Sequence, residues 1–148
     1  MRWHHHLVLL VLVVACCSHK TEYKVPAFAQ FPCPQGTHPD VSNVGGEIFR
    51  TCVDAYHNVD GPFVSWNLKT GAISSKGRYR RGKLWGATTD YYPNGKTMSV
   101  GRFVNGVRDG EVRIWDEDGN LKVIQVYDAK QRGKLIDEKV FPTPDKKK

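Results

Sequence analysis

The sequence predicts an all-β fold: an elongated antiparallel β-meander of about three stacked hairpin repeats, preceded by a loop-rich, disulfide-bridged N-terminal segment. Three observations predict it. Residue types recur with one period: Gly71, Gly95 and Gly119 stand 24 residues apart, as do Tyr79, Phe103 and Tyr127, and as do Gly82 and Gly106. Asn94-Gly95, Asn105-Gly106 and Asp118-Gly119 are dipeptides that tolerate positive φ at both central positions, as a type I′ hairpin requires, and Thr70-Gly71 and Arg81-Gly82 hold the equivalent places in the first unit. Between turns, in Lys76-Gly77-Arg78-Tyr79-Arg80, the cations share one parity and the tyrosine takes the other, so the ring faces a core and the charges face water. A unit this short covers its apolar face only against its neighbours, which makes an array.

The elements follow in chain order. Met1 to His6 carries one fixed positive charge, and Leu7 to Ala15 is an uninterrupted apolar run of 9 residues. This is the pattern of a secretory signal over 1–15, and it falls well short of the roughly 20 residues a membrane-spanning helix needs. His4, His5 and His6 belong to that leader and not to a metal site. Val13-Val14-Ala15-Cys16 resembles the lipobox of bacterial lipoproteins. The resemblance implies cleavage before Cys16, acylation of its thiol and its new amine, and a membrane partner reached through that lipid anchor; a plain secreted protein cut nearby is the alternative. Each buried acyl methylene contributes about 0.8 kcal/mol to such an anchor. Position 17 is Cys and not Asp, so the resemblance further implies the outer membrane of a diderm cell envelope.

Residues 16–30 read as a flexible tether. The segment 31–59 carries Pro32, Pro34, Gly36, Pro39, Gly45 and Gly46, and reads as a loop-rich cap bracketed by Cys33 and Cys52. In an oxidising envelope these two cysteines are expected to pair, with free thiols as the alternative, and closing a loop of that size is worth about 3 kcal/mol. The repeats occupy 60–133. Their expected core is Trp66, Tyr79, Tyr91, Phe103, Trp115 and Tyr127, with the ring of each unit's second strand (Tyr79, Phe103, Tyr127) packing on a neighbouring turn glycine; their turns centre on Gly71, Gly82, Gly95, Gly106 and Gly119, and Gly61, Gly86 and Gly110 open the units. Residues 134–148 read as a short last element and a basic tail. Both flanks are expected to cap the open sheet edges.

Gly77-Arg-Tyr79-Arg-Arg-Gly82-Lys-Leu-Trp-Gly86, then Asp90-Tyr-Tyr92-Pro-Asn-Gly95-Lys, then Gly101-Arg-Phe103-Val-Asn-Gly106-Val-Arg-Asp-Gly110, resemble the MORN repeat in its bacterial variant form, across about half of the chain. The third unit departs from the pattern, with Ala129-Lys130 where an Asn-Gly turn belongs, which points to an irregular or capping end. The resemblance implies a single-layered sheet of successive hairpins. Bacterial proteins of this kind are often uncharacterised lipoproteins and some carry an antitoxin label; eukaryotic relatives are associated with membrane apposition, phospholipid contact or dimerisation. No ligand residue carries over by motif. Two functions follow: a tethered binding or scaffold module of the envelope, and, as the alternative, an antitoxin-like or immunity protein that sequesters a toxin.

The chain carries a net charge of +7, which favours an anionic envelope polymer or a protein as partner and places nucleic acid behind them. Lys76, Arg78, Arg80, Arg81 and Lys83 put five positive charges within eight residues, beside Trp85, and form either a basic binding face or a solvated one. No nucleotide loop, paired catalytic carboxylates or Ser-His-Asp spacing is visible, so neither a catalytic set nor a cofactor or small-molecule substrate is expected. A Cys/His nucleophile built on His38 or His57 lacks an orienting partner. Asp116-Glu117-Asp118-Gly119 fails as a calcium loop, since Ile114 and Gln125 fall where acidic ligands belong. It reads as a hairpin turn.

Overall fold

The computed structural model describes residues 23–142. The leader, Cys16, Cys17 and the terminal lysines lie outside the described residues. Eleven strands form one antiparallel sheet: β1 (His38–Val44), β2 (Glu47–Val53), β3 (Gly61–Asn67), β4 (Ile73–Arg80), β5 (Lys83–Leu84), β6 (Gly86–Tyr91), β7 (Thr97–Val104), β8 (Val107–Arg108), β9 (Gly110–Trp115), β10 (Leu121–Asp128) and β11 (Lys134–Val140). The long strands pair in chain order, with β5 folded back on β4 and β8 on β7. The sheet does not close; β1 and β11 are its edges. The predicted meander is therefore the observed one. The flanks take a different part from the one expected: instead of capping the edges, β1 and β11 pair along β2 and β10, extend the sheet and become its edges.

The turns are of two kinds. Arg81-Gly82, Asn105-Gly106 and Arg132-Gly133 have positive φ at both positions (50° and 76°, 52° and 83°, 60° and 73°), which is the type I′ geometry. Asn94-Gly95 and Asp118-Gly119 do not follow that expectation. Only the glycines are positive there, at 81° and 94°. The hairpins are longer: Tyr91 pairs with Thr97 and the register slips between Asp90 and Tyr91, with a matching slip between Leu121 and Val123. One αL glycine and a bulge absorb the extra residue. In the third unit the I′ turn comes later than the period predicts. The delay is the helical turn Ala129–Gln131, whose first N–H groups are capped by Asp128, its carboxylate accepting from the Lys130 N–H.

Strand pairing sorts the side chains onto two faces. On one, here the cap face, Ile48, Val64 and Trp66 pack with the fully buried Ala29 of the N-terminal segment, flanked by Tyr23, Val25 and Phe31. Phe28 meets Trp66 edge-on with centroids 5.9 Å apart. Ala29 thus belongs to the core, with Tyr23 and Val25 partly buried against it, where the sequence suggested only tether. The Cys33–Cys52 disulfide fixes this segment to β2. Between the turns of 31–59 lies the β1–β2 hairpin, closed at Gly45-Gly46.

The other face, the open face, packs large side chains onto glycine. A Cβ on Gly77 would lie 2.7 Å from the Phe63 ring and 2.8 Å from Thr88 Oγ1, and one on Gly101 would lie 3.0 Å from Val112 Cγ2. These mid-strand glycines provide space, unlike the turn glycines, which provide positive φ.

Candidate functional site

Register decides what the cap face presents. Arg50 stands opposite Val64, Val64 opposite Lys76, Lys76 opposite Thr89, Thr89 opposite Val100, Val100 opposite Arg113, Arg113 opposite Ile124, and Ile124 opposite Lys139. Directly paired residues point to the same face, so this is one row across the sheet, with strands about 4.8 Å apart. By the same alternation Arg78, Arg80 and Arg102 share the face, and Lys83 joins them opposite Arg80. All but Arg50 in this set of cations are exposed. Two of the charged heads lie over rings: the Arg80 guanidinium is 4.9 Å from the Trp85 ring and Lys76 Nζ is 5.3 Å from that of Tyr91. Glu111 and Asp137 are the acids in the adjacent row, and Glu111 binds Arg113 Nε at 2.5 Å.

Four of the five predicted basic residues therefore gather on one face. Arg81 does not; it occupies the turn with φ 50°. Arg102, Arg113 and Lys139 were not legible as members of the patch, because only strand register brings them there.

The open face holds a groove of about 270 Å³ between Phe63, Tyr79 and Phe103, floored by Thr88 and by Ser75, Asp90 and Ser99. Asp90 accepts from Ser75 Oγ at 2.8 Å and from Ser99 Oγ at 2.6 Å. Thr88 Oγ1 is buried without a partner. The two serine hydroxyls thus hold the Asp90 carboxylate in a fixed orientation in the groove. Opposite, Arg108 Nη1 donates to Tyr127 Oη at 3.0 Å, and the Arg108 Cζ lies 5.2 Å from the centroid of that ring.

The predicted aromatic core residues thus divide between faces. Tyr79 and Phe103 line the groove with Tyr127 beside it; Trp66 and Tyr91 lie on the cap face, and the Trp115 carbonyl accepts from Tyr92 Oη at 2.8 Å. Trp66 is buried and the other five are half-buried, since a single layer has a second face in water. Turns clasp their neighbours: Gly106 N donates to the Leu84 carbonyl at 2.9 Å, Asn94 Nδ2 to that of Glu117 at 3.1 Å, and Lys96 Nζ to that of Asp118 at 2.9 Å.

Asp116 closes its hairpin from within, accepting from the N–H groups of Asp118 at 3.0 Å and Asn120 at 2.8 Å. Hydrogen bonds from the Asn120 backbone and side chain hold its carboxyl below the ordinary value. Cys33 and Cys52 are joined to each other, and His38 and His57 are exposed. No known protein family, no curated protein and no solved structure matches the chain.

Proposed function

We propose that the chain is a membrane-tethered, non-catalytic binding or scaffold module of the bacterial cell envelope, and that its cap face meets an anionic envelope component. The observation that carries this reading is the set of exposed cations that register gathers beyond the N-terminal segment: Lys76, Arg78, Arg80, Arg102, Arg113 and Lys139. The tether supports it. The N-terminal segment lies on that same face, against Ile48, Val64 and Trp66. With a lipid at Cys16, the seven residues to Tyr23 reach about 25 Å at most, so the face that receives the tether is held close to the head groups. Basic residues near an anionic surface contribute about 1 kcal/mol each, within a screening length of about 10 Å. The MORN-like hairpin grammar agrees with a rigid presenting surface.

The test uses the chain without its lipid, mixed with vesicles containing anionic or only zwitterionic phospholipid. Sedimentation with the anionic vesicles, lost at high salt and in a Lys76→Glu/Arg78→Glu/Arg80→Glu variant, is the expected result. Undiminished binding by that variant refutes the reading.

A further inference from the structure

Arg50 lies in β2, only 8% exposed. Its Nη2 donates to the Phe31 carbonyl at 2.9 Å and its guanidinium stacks 4.0 Å over the Phe31 ring. Nη1 is buried with no partner. No carboxylate among the described residues forms an ion pair with Arg50. A buried cation without a counter-ion is costly, and burial pushes this guanidinium down from its ordinary value. Beside it lies a shallow, open pocket lined by Arg50, Val25, Gln30, Phe31, Pro39 and Val41.

We infer that this pocket binds a carboxylate carried on an apolar body, with the Arg50 guanidinium as its counter-ion. The lining sets the class. One guanidinium matches one carboxylate in charge, whereas a phosphate dianion calls for further cations that the pocket lacks. Gln30 supplies the other polar head; its Nε2 reaches the Val25 carbonyl only at 3.3 Å and is free to turn toward a better acceptor. Val25, Phe31, Pro39 and Val41 supply apolar walls for a short hydrocarbon or an apolar terminal side chain. An acyl carboxylate and a peptide C-terminus share this chemistry. The site lies under the N-terminal segment, apart from the exposed cations, and stands whether or not the membrane reading does.

The experiment follows the thermal midpoint and heat of binding of the full chain with hexanoate, acetate, hexylammonium and inorganic phosphate. Hexanoate is expected to bind saturably and raise the midpoint, with acetate weaker for want of a body and hexylammonium without effect. Arg50→Met, which keeps the packed stem, is expected to weaken hexanoate by about tenfold or more. Val41→Glu places a carboxylate on the cross-strand partner of Arg50 and is expected to abolish the response by occupying the site from within; it also serves if Arg50→Met fails to fold. A capped apolar tripeptide with a free C-terminus, compared with its amide, identifies the source: tighter binding than hexanoate by the acid alone points to a peptide end, weaker binding to an acyl chain. No hexanoate response, an equal response to hexylammonium or phosphate, or wild-type affinity in a folded Val41→Glu chain overturns the inference.

Discussion

Gly77 and Gly101 are glycines for want of room. Neither has positive φ, and at each the added methyl would meet a side chain, Phe63 and Thr88 at one and Val112 at the other. Gly77→Ala is expected to cost about 1–3 kcal/mol by overpacking, more than Gly101→Ala, because the Phe63 ring is the stiffer obstacle. Urea unfolding midpoints check the order. A methyl added at Gly95 would meet nothing within 4 Å, so Gly95→Ala loses stability only through its φ of 81°, about 1 kcal/mol or somewhat more. The 24-residue spacing of Gly77 and Gly101 was present in the sequence but carried no turn residue beside it. Periodicity reports that a position is constrained; it does not distinguish a constraint on φ from one on volume. The buried Arg50 was illegible for another reason, since its burial comes from Phe31, 19 residues away.

At the scale of elements, the hairpins were legible and their turn types only partly so. Asn105-Gly106 takes the geometry its dipeptide favours, but Asn94-Gly95 does not, because the pairing of Tyr91 with Thr97 leaves a longer loop to close. Composition shows where positive φ is cheap; the residue count between paired positions sets the turn. The same limit hid Arg132-Gly133, displaced by the helical turn before it.

Three turns are held by aspartates, Asp54, Asp116 and Asp128, each with its carboxyl lowered chiefly by hydrogen bonds from Asn58, Asn120 and Gln131 respectively. A carboxylate that is easier to ionise in the fold than in the unfolded chain stabilises the fold above the ordinary value of 3.8 and stops doing so as pH falls through and below it. Stability is therefore expected to drop between about pH 4 and pH 2, and a triple Asp→Asn variant at these positions to show a shallower drop in a denaturant series across that range. The disulfide acts on the same scale: with a separation of 19 residues, a Cys33→Ser/Cys52→Ser chain is expected to lose about 3 kcal/mol, read from its unfolding midpoint against the oxidised protein.

Across the whole molecule, one sheet has two unlike ends. Its N-terminal end is thickened by the segment that packs on β2 and β3; its C-terminal end thins to β11, exposed along its length, where Lys134, Asp137, Glu138 and Lys139 discourage pairing with another edge. The alternation that placed Lys76, Arg78 and Arg80 together was readable in one strand, while Arg102, Arg113 and Lys139 joined them only through register. The proposed function sets the cap face, and not the open face, against an anionic surface. Single reporter cysteines at Thr89 on the cap face and Gln125 on the open face, in a Cys17→Ser chain carrying a lipid at residue 16 and bound to anionic vesicles, are labelled by a membrane-impermeant maleimide. Labelling several-fold slower at Thr89, relative to the same site without vesicles, and equalised at high salt, is the predicted result; equal slowing at both sites, or slowing at Gln125 alone, contradicts it.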